Sequence, residues 1–362
     1  MKKIYSIITG TGSYIPENVV KNTDFLDQVF YDAEGKMIDK PSEEIIQKFE
    51  EITEIKERRY VNDDQVASDI AYLAALNALN AANIDRETLD YIIVAHNFGD
   101  VRADSRQTDI LPSLASRVKE KLGIKNHKTI SYDATFGCPG WLQAIIHADY
   151  FLKSGDARRA LVIGTDTLSR LKDPYDRDSM IYADGAGAVI VEAVESEEPV
   201  GILSHAFRTD SDGNTYNLWL GRSNNPEYKS NELFIKMKGR KLYEYALKTV
   251  PMVVKESLDK AGVMLNNVKK VLIHQANAKM DDAILQRIFS ICKEFKIPKL
   301  IMPMTISKLG NSSVATLPTM LNLILTGKLE GHTLESGNIA IFASVGAGMN
   351  INSIIYKFPG LL

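Results

Sequence analysis

The 362-residue sequence predicts an α/β fold of two similar halves, and three observations carry that prediction. Short apolar runs bounded by turn residues alternate with stretches of helical spacing. The order of these elements occurs twice along the chain. In each half a turn of glycine and polar residues opens a helix, around Cys138 in the first half and around Asn311 in the second.

The opening run Met1-Lys-Lys-Ile-Tyr-Ser-Ile-Ile is too short and too soon interrupted by Gly10 and Gly12 to be a signal peptide, and reads as a first strand entering a turn. A helix is expected over Ala67 to Ala82, followed by a buried strand at Tyr91-Ile-Ile-Val-Ala. The Cys138 turn comes next, then a helix whose apolar face is Trp141, Ile145, Ala148 and Leu152. Strands at Ala160-Leu-Val-Ile-Gly and Ala188-Val-Ile-Val follow. The second half repeats the order: a helix over Gly239 to Ala261, a strand Val271-Leu-Ile-His, a helix from Lys279, the Asn311 turn, a helix over Leu317 to Leu325, and the strand Ile339-Ala-Ile-Phe-Ala. The halves are divided at 1–185 and 186–362, with the cysteine in the first and the histidine and asparagine in the second.

Composition narrows the function. A hydrophobic content of 45% supports a large core, and a net charge of −3 with mixed signs argues against nucleic acid and favours a small-molecule substrate. Two cysteines cannot make a disulfide framework, and neither belongs to a metal-type Cys-x-x-Cys pair. No apolar stretch approaches the roughly 20 residues that span a bilayer. A cytoplasmic protein without metal or membrane is the expectation.

Cys138 lies in Asp133-Ala-Thr-Phe-Gly-Cys-Pro-Gly-Trp. A lone cysteine is more often a small buried hydrophobe, and Cys292, in Phe289-Ser-Ile-Cys-Lys, keeps that reading. Phe-Gly-Cys-Pro-Gly is instead turn chemistry that exposes a thiol where a strand gives way to a helix. At neutral pH a free thiol is only about 3% thiolate, so a nucleophile needs a helix N-terminus or a basic neighbour. His274 closes a strand and Asn311 opens a helix; a core histidine and a helix cap are their ordinary roles. Converging on one point, the two make an oxyanion hole able to hold an enolate. Backbone amides at Gly346 and Ala347, in Ser344-Val-Gly-Ala-Gly, face the acyl carbonyl on Cys138 in this reading. Gly10-x-Gly12 opens no complete dinucleotide fingerprint, Asp184-Gly-Ala-Gly is structural, and His96, His147, His205 and His332 are structural or exposed.

Taken together, Gly10-Thr-Gly-Ser-Tyr-Ile-Pro, Phe136-Gly-Cys-Pro-Gly, Asp173-Pro-Tyr-Asp-Arg, Asp184-Gly-Ala-Gly-Ala, His274-Gln-Ala-Asn, Gly310-Asn-Ser-Ser and the closing glycines resemble the β-ketoacyl-(acyl carrier protein) synthase III family of the thiolase superfamily. The resemblance implies a five-layered αβαβα fold with two pseudo-symmetric halves, a homodimer, and thioesters of coenzyme A or acyl carrier protein as substrates with no further cofactor. Cys138 would accept the acyl group while the amides of Cys138 and Ala347 hold the oxyanion. His274 and Asn311 would promote decarboxylation of a malonyl thioester. Arg177 would meet the adenine end of coenzyme A, Lys279 and Arg287 the acidic carrier protein, and Leu111 the acyl pocket of the partner subunit. Two departures stand out: Thr53-Glu54-Ile55 replaces the family's Thr-Gly-Ile with its adenine-stacking tryptophan position falling near Lys48 or Phe49, and an insertion spans about Phe30 to Ser42. They imply an altered mouth and a longer or carrier-borne primer. The leading expectation is a condensing enzyme that starts fatty-acid synthesis. A specialised ketosynthase joining a longer acyl group to a β-keto thioester, in aromatic lipid or polyketide synthesis, and a non-catalytic partner subunit are the alternatives.

Overall fold

In the computed structural model, which describes residues 2–360, every apolar run is a strand with both faces covered. The first half contains β1 (Lys3–Tyr14), α1 (Ser42–Thr53), α2 (Ala67–Ala82), β2 (Tyr91–His96), α3 (Leu114–Lys121), β3 (Ile130–Thr135), α4 (Gly140–Ser154), β4 (Arg159–Thr167) and β5 (Asp184–Ser196). The second contains β6 (Gly201–Thr209), α5 (Gly239–Ala261), β7 (Val268–Ile273), α6 (Ala278–Ile291), α7 (Thr316–Leu325), β8 (Ile339–Gly346) and β9 (Asn350–Lys357).

The two sheets share one plan. The first has the order β1-β5-β4-β2-β3, with β2 parallel to β3 and β4 and the other pairs antiparallel. The second has the order β6-β9-β8-β7, with β7 parallel to β8 and the rest antiparallel. Where β3 would have its counterpart, the carbonyl of Ile301 accepts from Val271 N at 2.9 Å.

Side-chain alternation makes the layers. In β4, Ala160 and Val162 face a central core, while Leu161 and Ile163 face α2 and α3. In β8, Ala340 and Phe342 face the same central core, and Ile341 and Ala343 face α5 and α6. The central core is filled by α4 and α7, whose buried residues include Trp141, Ile145, Leu317 and Leu321. The result is the expected αβαβα stack, helices outside and between two sheets. Since successive strand residues point to opposite faces, a sheet covered on both sides reads as continuous apolar sequence.

The structure moves one boundary. β5 starts at Asp184 and pairs with β1 and β4 throughout, so the cut at 185/186 falls inside a strand of the first sheet. The halves divide after Ser196, at the link into β6. The small residues at the start of β5 are there for close packing: a Cβ on Gly187 would stand 2.7 Å from Pro318 of α7. Gly10 and Gly12 likewise let β1 meet α2, since a Cβ on Gly12 would lie 2.3 Å from the Ala74 carbonyl oxygen.

Candidate active site

β3 ends at Thr135, the chain turns through Gly137 at φ +74°, and α4 starts at Gly140, which leaves Cys138 at the corner. The loop after β8 lies directly against this corner. A Cβ on Gly346 would stand 2.5 Å from Cys138 N, and one on Gly137 would stand 2.8 Å from Ala347 N, so the two backbones meet only as glycines. His274 is the first residue past β7, and its backbone N–H donates to Ala343 of β8 at 2.9 Å. Asn311 is pinned to the first half, its N–H donating to Ile181 and its carbonyl accepting from Ala183, both at 2.9 Å. Its Oδ1 accepts from Ser313 N at 2.9 Å, which turns Nδ2 towards the cavity.

Cys138, His274, Asn311, Gly346 and Ala347 line one cavity of 350 Å³. Its remaining wall is mostly apolar, with Phe98, Trp219, Leu220, Ile235 and Met237 prominent. Ile181, Met237, Leu242, Ala276 and Met280 are shared with an outer chamber of 850 Å³ that opens the site to the surface. The outer chamber carries the charges, among them Lys48, Arg177, Asp178 and Arg240. A polar vestibule thus leads to an apolar chamber with the thiol, imidazole and amide on its wall.

Burial brings His274 down to about 4, so its ring is neutral at physiological pH. Nδ1 is buried without a protein partner, which leaves Nε2 as the nitrogen turned to the cavity. Gln275, fully buried, holds the neighbouring loop by donating to Pro303 and accepting from Thr305 N and Ile306 N. Burial also pushes Cys138 up to about 11, with Asp166 adding to the rise and a hydrogen bond from Ser313 opposing it. Among the described residues no cation acts on the sulfur: the side chains that do are Asp166 and Ser313, and the N-terminal end of α4 is the helix contribution that remains.

Three residues of the site were not singled out in the sequence. Ser313 donates to Cys138 Sγ at 3.3 Å, Asn97 Nδ2 donates to Ser313 Oγ at 2.8 Å, and Asp166 accepts from Asn97. Their signal was present: Asn97 follows β2 as His274 follows β7, and Asp166 is a carboxyl at the end of an apolar strand. His96 accepts from Gly99 N at Nδ1, so Nε2 donates to Asp133, which caps α3. Its role is structural, as expected.

Of the binding residues, Arg177 lines the outer chamber beside Asp178. Lys279 and Arg287 are exposed along α6. Leu111 is 86% exposed and does not line the cavity of its own chain, because its loop runs outside the sheet. Lys48 and Phe49, the positions expected for an aromatic platform, both line the outer chamber, Phe49 largely buried with its ring against the Arg58 guanidinium and Lys48 exposed. The insertion is an ordered hairpin: Tyr31 pairs with Met37 and donates its N–H to Tyr175, close before Arg177. Cys292 packs at the edge of the core under α5 and α6. Among the described residues no cluster of histidine, cysteine and acidic side chains suits a metal ion.

Comparison with known proteins gives the family. Residues 132–211 match the model of 3-oxoacyl-[acyl-carrier-protein (ACP)] synthase III, and residues 258–358 match that of its C-terminal domain. A β-ketoacyl-[acyl-carrier-protein] synthase III of Xanthomonas euvesicatoria is 32% identical over 99% of both chains, and one of Staphylococcus saprophyticus is 31% identical over 97% of this chain and 98% of its own. The crystal structure of the Aquifex aeolicus 3-oxoacyl-[acyl-carrier-protein] synthase III superposes with a TM-score of 0.78 at 30% identity, covering 98% of this chain and all of that one. The priming β-ketosynthase of the R1128 polyketide pathway shares the fold, at a TM-score of 0.80 and 23% identity over 99% of this chain and 97% of that one. This chain belongs to the β-ketoacyl-[acyl-carrier-protein] synthase III family of thiolase-fold condensing enzymes.

Proposed function

We propose that the enzyme moves an acyl group from a thioester to Cys138 and then condenses it with malonyl-(acyl carrier protein), starting fatty-acid synthesis. Cys138 Sγ attacks the thioester carbon, the carbon–sulfur bond to the donor breaks, and the donor leaves as a thiol carrying the Cys138 proton. The amides of Cys138 and Ala347, next to Gly346, hold the oxyanion, a contribution of about 3 kcal/mol for each such donor. In the second step His274 Nε2 and Asn311 Nδ2 donate to the malonyl thioester oxygen. The bond to the carboxylate breaks, carbon dioxide leaves, and the carbanion attacks the acyl carbon. The carbon–sulfur bond to Cys138 then breaks, which releases the β-ketoacyl thioester on the carrier and returns Cys138 as the thiolate, which takes up a proton from solvent.

The convergence of Cys138, His274 and Asn311 on one apolar cavity carries this reading. A neutral His274 suits it, since the ring must donate without first taking a proton. The mostly apolar cavity of 350 Å³ supports a primer longer than acetyl. Arg177 at the mouth suits a phosphate-bearing donor such as coenzyme A, and the exposed Lys279 and Arg287 suit an acidic carrier protein. A homodimer fits the open edge strand β3, where Ile130 is half exposed, and the bare Leu111 nearby in the chain, whose side chain would enter the pocket of the partner subunit.

Intact-protein mass spectrometry after incubation with a panel of acyl-coenzyme A and acyl-carrier donors tests the reading. Cys138→Ala must abolish the adduct, and its persistence would return the chain to a non-catalytic role. Strong priming by acetyl-coenzyme A would overturn the longer primer. A product whose mass requires a β-keto extender would replace malonyl condensation with the specialised reaction.

A further inference from the structure

The Ser313 hydroxyl lies 3.3 Å from Cys138 Sγ, and its direction is decided by two residues behind it. Asp166 accepts from both the backbone N–H and Nδ2 of Asn97, at 2.9 and 2.6 Å. That fixes the Asn97 amide with its nitrogen inward. The same Nδ2 donates to Ser313 Oγ at 2.8 Å. A hydroxyl has one proton and two acceptor lone pairs; with Asn97 filling a lone pair, two acceptors are in reach of the proton, Asp166 and Cys138 Sγ, and the hydrogen bond formed is the one to the sulfur at 3.3 Å. Ser313 is held at φ +52°, a region costly for any residue but glycine, and such strain gathers at functional sites.

The charged and titratable groups around the sulfur make this donor matter. Asp166 on β4 and Tyr182 face Cys138, His96 stands beside Asp166, and the neutral His274 lines the same cavity. None brings a positive charge to the thiolate. A donor fixed on the sulfur favours its charged form, which is the nucleophile.

We propose that Ser313 is a catalytic residue that donates its hydroxyl to Cys138 Sγ, and that Asn97 and Asp166 are positioning residues that keep the hydroxyl aimed there. Ser313 keeps its proton throughout, and the Cys138 proton leaves with the departing thiol. This deepens the acyl-transfer reading and rests on it for its place in the reaction, but the state of the sulfur is measurable by itself.

The experiment is the rate of Cys138 alkylation by iodoacetamide at a fixed pH of about 8, followed by peptide mass so that Cys292 is read separately; below the thiol midpoint this rate follows the thiolate fraction. Ser313→Gly removes the hydroxyl while relieving the strained backbone, and its Cys138 alkylation slows about tenfold or more. Asn97→Ala frees the hydroxyl to turn to Asp166 and slows the reaction less. Should Asn97→Ala fail to fold, Asn97→Ser, which still offers Asp166 a donor, replaces it. An unchanged rate in folded Ser313→Gly overturns the role of Ser313, and an unchanged rate in the folded Asn97 variant overturns the positioning. Acyl loading of the unaltered protein is scored separately: no adduct on Cys138 defeats the acyl-transfer reading without touching the alkylation rates.

Discussion

Replacing His274 with glutamine should flatten part of the pH dependence of stability. Burial lowers this ring from 6.5 to about 4. Between those values the unfolded chain binds a proton there and the folded chain does not, so stability rises with pH across the window. It is lost as pH falls through 6.5 towards 4. At pH 5 the unfolded ring is almost wholly protonated and the folded ring mostly neutral, and the difference amounts to about 2 kcal/mol, against a few tenths at pH 7. Asp166 works the other way, because burial raises it from 3.8 to about 6 and the folded state takes up its proton first. That contribution is common to both proteins and cancels in the comparison. Urea unfolding at pH 7 and pH 5 measures both. The parent should lose about 2 kcal/mol more than His274→Gln, and equal losses would refute a buried neutral imidazole. The same neutrality requires the malonyl decarboxylation rate to show no step assignable to His274 between pH 5 and 7.

Gly346→Ala places a methyl group 2.5 Å from Cys138 N and 2.7 Å from the Pro139 ring, so the nucleophile must shift. Acyl loading measured by intact mass should fall by about 100-fold with the fold retained, as a displacement near 1 Å costs about that much. Trp219→Ala enlarges the acyl chamber and should move the preferred primer in a chain-length series towards longer acyl groups. Arg287→Glu together with Lys279→Glu should raise KM for the carrier-borne malonyl substrate more than for a coenzyme A thioester. That effect should shrink as salt rises from low to physiological strength, as expected for screened surface charges.

How much was legible in the sequence depended on what covers each element. Strands such as Ala160 to Gly164 and Ile339 to Ala343 lie between helical layers on both sides, and so they read as unbroken apolar runs. α4 was equally plain, because its buried face repeats at helical spacing. Asp184-Gly-Ala-Gly-Ala reads as a close-packed strand, and the approach of Pro318 to Gly187 shows what its small residues pack against. Cys138, His274 and Asn311 could be found because each stands at an element boundary with an unusual local sequence. The environment of the thiol could not: burial and Asp166 come from packing and from a strand distant in sequence, and they work against the thiolate that the turn suggested. Ser313 was visible only as a neighbour of Asn311, since the aim of its hydroxyl depends on Asn97, 216 residues away in the chain.

The pseudo-symmetry explains why these residues meet at all. β2 corresponds to β7, so Asn97, the first residue past β2, corresponds to His274, the first past β7. α4 corresponds to α7, so the turn of Cys138 corresponds to the turn of Asn311 and Ser313. Each half therefore offers one polar residue after a strand and one polar turn before a central helix. The contacts cross between halves: Asn97 donates to Ser313 at 2.8 Å, while His274 shares the cavity wall with Cys138. One diagonal pair, Asn97 and Ser313, stands behind the sulfur, and the other is the sulfur itself and the neutral imidazole on the same cavity wall. Neither half alone holds a complete pair, because each lends one member to the other. The active site is consequently a property of the interface between the halves, and any change that shifts α4 against α7 acts on the front and the back of Cys138 together.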